Sequence, residues 1–87
     1  MKPQPDFTIN FHFGNEHTKF DAPGTTTVAS VKERGLHDLN IVIDPAFDYL
    51  LNFHGHLIEN ETQTLEQLVE HGDTNVTFHV QKRPKGG

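Results

Sequence analysis

The residues best suited to chemistry lie at the carboxyl end, where the chain reads Gln81-Lys82-Arg83-Pro84-Lys85-Gly86-Gly87. Glycine has no Cβ and accepts extended and positive-φ backbone alike, so two in succession can carry a carboxylate through a passage too narrow for side chains. Behind them, Lys82, Arg83 and Lys85 can pair with acidic groups on a partner, and arginine suits a bidentate contact best. Pro84 fixes φ near −65°, which disfavours helix and lowers the entropy lost when an extended segment docks. Alone, a terminal glycine pair is a weak signal, because glycine makes up about 7% of protein residues. Its meaning depends on what precedes it.

Seven histidines offer a second kind of chemistry. His54 and His56 share a face if their segment is extended, and His12 and His79 both project outward from alternating segments. A metal centre needs convergent ligands and a supporting shell. No HExxH or Cys/His framework is present, so the histidines read as solvated surface groups and no metal site is expected. They make the surface charge sensitive around pH 6 to 7. The carboxylates are scattered through loops, and "ENETQT" reads as a solvated loop rather than an acid/base pair. No catalytic set is assembled, so neither enzymatic activity nor a cofactor is expected.

Several elements must position the tail. "MKPQPD" holds two prolines and no apolar pattern, and residues 1–6 read as a mobile arm on which Lys2 is accessible. "FTINFHF" alternates, with Phe7, Ile9, Phe11 and Phe13 on one face, as a half-buried strand does. Gly14-Asn15 is a two-residue turn candidate, and "EHTKF" alternates again with Thr18 and Phe20 inward, which completes a hairpin. "DAPGTTT" ends in threonines able to cap a helix. Val28 and Val31 begin its apolar face. Gly35 either weakens a longer helix that Leu36 and Leu39 continue, or stops it in a left-handed cap, and Leu36 just behind favours the stop.

"LNIVID" before Pro45 reads as a buried connector or a short strand. "DYLLNF" is a strand with Tyr49, Leu51 and Phe53 inward, "HGH" a turn, and "LI" a short strand. "ENETQTLEQLVEHGD" holds one helical turn around Leu65, Leu68 and Val69. "NVTFHV" closes the pattern with Val76, Phe78 and Val80 inward and Thr77 and His79 outward. Strands arranged around one helix predict an α+β domain, a mixed sheet of four to five strands wrapped on that helix.

Bulk properties narrow the functions. The chain has 87 residues, enough for one domain. Seven Lys+Arg against twelve Asp+Glu give a formal charge of −5, which argues against binding to phosphate backbones. Cysteine is absent, which excludes disulfides and thiolate chemistry within the chain and fits a reducing compartment. No apolar run is long enough to span a bilayer and the start does not resemble a secretion signal. The expectation is a soluble cytoplasmic protein, monomeric when free, without nucleic-acid or membrane partners.

The element order, with a last strand running straight into Gly-Gly, resembles ubiquitin and the other β-grasp modifiers over about Phe7 to Gly87. "NFHGHLIENETQTLEQL" is similar to ubiquitin's third strand, glycine turn, short strand and Thr-Leu segment. "NVTFHVQKRPKGG" is similar to its last strand and tail without a gap, with His79 and Arg83 where ubiquitin also has His and Arg. The resemblance implies a β-grasp domain over residues 7–81 and a flexible conjugation tail over 82–87. It implies a protein that is itself a substrate. The Gly87 carboxylate, backed by Gly86, is adenylated by an activating enzyme using ATP and magnesium, carried as an enzyme thioester and joined to a lysine amine on a target.

The same resemblance assigns recognition by the activating enzyme or a peptidase to Arg83, Lys82, Lys85 and Pro84. It implies a conjugating enzyme and a JAB-type or other deconjugating peptidase as partners. Asn52, His54, His79 and Gln81 fall on the partner surface. There, Asn52 replaces a key isoleucine and Gln81 a valine, and His56 stands where ubiquitin has its main chain-building lysine. Ordinary ubiquitin receptors and ubiquitin-style chains are therefore not expected. The overall divergence is similar to prokaryotic ubiquitin-like proteins encoded beside activating enzymes in bacterial operons. A sulfur carrier ending in a thiocarboxylate and a non-conjugated binding module are the competing implications.

Overall fold

The computed structural model describes residues 6–69 and 74–86. Two strands open the chain, β1 (Phe7–Phe13) and β2 (Glu16–Ala22), followed by helix α1 (Val28–Asp38). Strands β3 (Phe47–Phe53) and β4 (His56–Leu57), the short helix α2 (Leu65–Leu68) and strand β5 (Asn75–Pro84) complete it. The sheet order is β2-β1-β5-β3-β4, and only β1 and β5 run parallel. This is the mixed α+β sheet that the alternating segments require. The arm at residues 1–5 and the carboxyl-terminal Gly87 lie outside the described residues.

Period-two patterning sets the inner face. Ile9, Phe11, Leu51, Val76 and Phe78 are buried on the sheet, and Val28, Val31 and Leu36 meet them from α1. Phe7, Phe13, Phe53 and Val80 pack partly buried around that centre. The two-residue turn holds as the sequence suggests, with Gly14 at φ +60. Thr27 caps α1 by accepting from the Ser30 N–H at 3.2 Å, and Thr64 with Gln67 forms a capping box on α2. The two helix starts are tied together: the Val28 N–H donates to the Gln63 carbonyl and the Leu65 N–H to the Thr26 carbonyl, both at 2.9 Å.

Three expectations are corrected. Helix α1 does not stop at Gly35, which is buried inside it. The Phe11 ring occupies the place of the missing side chain: a Cβ there would lie 2.5 Å from ring atoms. The left-handed cap is made instead by Asn40, at φ 56. The Asn40 N–H donates to the His37 carbonyl at 3.0 Å and the Ile41 N–H to the Leu36 carbonyl at 2.9 Å, the paired bonds of a Schellman motif. Ile41 then supplies the trailing hydrophobic residue that Leu36 was expected to be.

The segment before Pro45 is neither strand nor buried connector. Val42 is 87% exposed and Ile43 53%, because the chain turns outward after Ile41 and returns through a turn at Asp44. That turn is held by Asp44, whose N–H donates to the Tyr49 hydroxyl at 3.0 Å and whose carboxylate accepts from the Ala46 N–H at 2.9 Å.

The free tail does not begin at residue 82. β5 stays paired with β3 through Tyr49↔Lys82, Asp48↔Arg83 and Phe47↔Pro84, and the Lys85 N–H donates to the Ala46 carbonyl at 2.9 Å. In an antiparallel ladder the bonding direction alternates, so Lys85 faces β3 while Pro84 does not. The missing N–H of proline therefore costs no ladder bond, and the strand passes through it.

Candidate functional site

The strand that carries the tail is fixed by the core. Val76 and Phe78 anchor β5 between β1 and β3, and each later residue inherits its direction from that alternation. Lys82 falls on the inner face, where its ammonium sits 4.3 Å from the Phe47 ring centre and 5.8 Å from that of Tyr49. Such cation–π contacts hold the side chain against its own domain. Arg83 points the other way and is exposed, at the register of Asp48. Lys85 and Gly86 are exposed, and Gly86 adopts φ +70, a left-handed backbone that L side chains rarely take. Lys82, Arg83 and Lys85 are all exposed, and the Lys82 ammonium also lies over rings of its own domain.

The outer sheet face collects the remaining candidates. Asn52 and His79 are register partners on β3 and β5, and the Asn52 amide donates to the Gln81 side-chain oxygen at 3.1 Å. His54 departs from the group. It has φ 52 in the turn after β3, and its ring lies 4.1 Å from that of Phe53. It therefore does not share an extended face with His56.

Sequence reading paired His12 with His79 but missed His17. The two-residue turn sets His17 opposite His12, so outward parity in "EHTKF" carried the signal. Register joins all three into one row across β2, β1 and β5, with ring centres 5.7 Å apart for His12–His17 and 5.0 Å for His12–His79. The His12 and His79 rings lie nearly parallel at 20°, side by side rather than converging. Among the described residues no group of three His, Cys, Asp or Glu is arranged to hold a metal ion.

His12 is the middle member and responds to both neighbours. Its burial first, then the charges on His79 and His17, hold its pKa below the ordinary 6.5. The unfolded chain then binds this proton more readily than the folded one, so the contribution of His12 to stability is complete above pH 6.5 and is lost as pH falls through the lowered value. Replacing His12 by threonine should flatten the loss of stability between neutral and mildly acidic pH. Urea midpoints for both proteins on either side of that window check this, and parallel pH profiles would contradict it.

Comparison with known proteins follows from this geometry. The chain matches no family model and no curated protein sequence. Solved structures do match. A ubiquitin from Caldiarchaeum subterraneum superposes with TM-score 0.71 at 20% identity, covering 95% of this chain and all of that one (100%). The ubiquitin-like domain of an Arabidopsis thaliana protein gives TM-score 0.67 at 15% identity over 94% of this chain and 80% of its own. An N-terminal ubiquitin-like domain of a further protein gives 0.66 at 17% identity, with 100% and 85% covered. Five strands in the order β2-β1-β5-β3-β4 around α1, with these superpositions, establish the fold of this chain as the ubiquitin-like β-grasp.

Proposed function

We propose that this protein is a ubiquitin-like modifier, a substrate rather than an enzyme, whose reactive group is the Gly87 carboxylate, native or exposed by a peptidase. The carboxylate attacks the α-phosphorus of ATP and expels pyrophosphate, which leaves an acyl adenylate. An enzyme cysteine displaces AMP to give a thioester, and a lysine amine then displaces the thiolate to give an isopeptide. The partners are an activating enzyme with ATP and magnesium, a conjugating enzyme, target lysines and a JAB-type or other deconjugating peptidase. A bacterial source and a cytoplasmic setting belong to the same reading.

One observation carries it. β5 is clamped to the core as far as Pro84, Lys85 adds one bond to Ala46, and Gly86 leaves the sheet with a backbone suited to glycine. A short, narrow tether on a rigid strand delivers its end to an enclosed active site with little entropy lost. Arg83 and Lys85 stand beside it as the cations available to acidic groups on that enzyme.

The test is mass spectrometry of proteins from the source cells after trypsin. Cleavage after Lys85 leaves Gly86-Gly87 attached to each modified lysine. Diglycine remnants that disappear when the gene is deleted are the expected result. A terminal exchange of one oxygen for sulfur on the free protein, with no remnants, would replace this reading with a sulfur carrier. Neither product would leave a non-conjugated binding module.

A further inference from the structure

Among the described residues, apart from the two-residue β4 and the end of β5 past His79, two strand edges have no neighbour. The first is the edge of β2. Arg34 of α1 closes it: its guanidinium lies 4.5 Å from the Phe20 ring centre, and its Nη1 donates to the Asp21 carbonyl at 3.2 Å. A cation laid along an edge and bonded to its carbonyl opposes pairing with another chain.

The second is the edge of β3. β4 pairs with β3 at Asn52 and Phe53, and the Ile58 N–H donating to the Leu51 carbonyl at 2.8 Å carries that contact one residue further. Among the described residues β5 covers one side of β3 from Phe47 to Leu50, and no strand lies on the other, β4 side. Bonding direction alternates along a strand. The Leu51 carbonyl faces the β4 side, so the N–H and C=O of Tyr49, two residues earlier, face the open edge.

Next to that edge runs a groove of about 980 Å³, bounded by Leu36 of α1, by Ile41 and Ile43, and by Leu50 and Leu57. Ile43, which lines it, and the adjacent Val42 are the exposed large hydrophobic residues of the described chain. Its charged lining is predominantly acidic. Glu33, Asp48 and Glu59 face it, and Lys32 is held by Glu61 at 2.7 Å. Arg83 is its other Lys or Arg, at the register of Asp48.

We propose that the edge of β3 between Phe47 and Leu50 is a strand-addition site for an extended peptide with alternating apolar residues and Lys or Arg at its flanks. The peptide's main chain completes the ladder at Tyr49, its apolar side chains enter the groove against Leu36, Ile43 and Leu57, and its basic flanks meet Glu33 and Glu59. Strand addition of this kind takes affinity from backbone bonds and selectivity from alternate side-chain pockets.

The site is separate from the tail chemistry, so a protein lacking Gly86 and Gly87 should bind the peptide unchanged. The probe is a short fluorescent peptide of alternating valine and threonine with lysines at both ends, titrated into the full chain and followed by amide NMR. Expected are saturable binding, shifts at Val42, Ile43, Tyr49 and Leu57, and a loss of about tenfold or more in affinity for Ile43→Asp. Because Ile43 is exposed, that substitution leaves the fold intact, which its unchanged spectrum elsewhere would verify. A peptide N-methylated at every backbone amide lacks the N–H groups that an added strand of either direction needs and should fail to bind, and a glutamate-flanked one should bind more weakly. No binding, shifts along β2, equal affinity for Ile43→Asp, or equal binding of the N-methylated or glutamate peptides would overturn the proposal.

Discussion

Gly35→Ala is expected to destabilise the protein by about 1–2 kcal/mol, and Gly35→Val by roughly 3 kcal/mol or more. Two effects oppose each other. Alanine in a helix interior gains about 1 kcal/mol over glycine, while overpacking a close-packed core costs about 1–3 kcal/mol and occasionally more. Here the second wins. The added Cβ would lie 2.5 Å from ring atoms of Phe11, a residue with no exposed surface and strands on either side, so the ring has nowhere to move. Valine adds two methyl groups at the same place and an unfavourable helix rotamer restriction. Urea denaturation measures both variants. Phe11→Leu combined with Gly35→Ala should show a favourable interaction of about 1 kcal/mol, since the smaller side chain makes room for the methyl. A neutral or stabilising Gly35→Ala would mean that the ring does not fill this position.

The same residue shows where the sequence was legible and where it was not. Period-two alternation is a local signal, and it placed Phe11, Tyr49, Leu51, Val76 and Phe78 on the inner face correctly. Gly35 was ambiguous because glycine both ends helices and admits close neighbours, and the neighbour, Phe11, is distant in sequence. Asn40, the second-best left-handed residue, held the actual cap, but nothing local ranks it above a glycine. For the 41–46 segment, apolar composition suggested burial, whereas the Schellman bond to Leu36 and the turn at Asp44 direct Val42 and Ile43 outward. Composition does not encode that geometry.

In the candidate site, the tail was legible as a motif and less so as a structure. The resemblance implied free chain from residue 82, yet backbone pairing with β3 is indifferent to side-chain polarity and continues to Pro84. Parity also puts the Lys82 ammonium over Phe47, a contact that the motif does not reveal.

Substitutions at the tail should have the largest functional effect. Gly86 sits at φ +70, and an L residue pays roughly 1–2 kcal/mol for left-handed backbone. If the activated state keeps this conformation, Gly86→Ala should slow thioester formation by about tenfold, since 1.36 kcal/mol is a factor of ten in rate. Gly86→Val, β-branched, should slow it further, and deletion of Gly86 and Gly87 should abolish it. None of these changes touches the core, because Gly86 meets nothing within 4 Å of where a Cβ would be, so urea midpoints should not move. Unequal effects on activation and stability separate a chemical role from a structural one. Arg83→Ala should weaken activation more than Lys82→Ala, because the Lys82 ammonium is already held over Phe47.

The central claim is that Gly87 carries the reactive carboxylate. Its most direct test pairs the protein with its activating enzyme, ATP and magnesium and follows the terminal peptide by mass spectrometry. The prediction is an adenylate or a thiol-sensitive thioester on Gly87, absent from the protein that lacks Gly86 and Gly87. An adduct formed equally by the truncated protein, or an intact protein left unmodified by the enzyme, would contradict it.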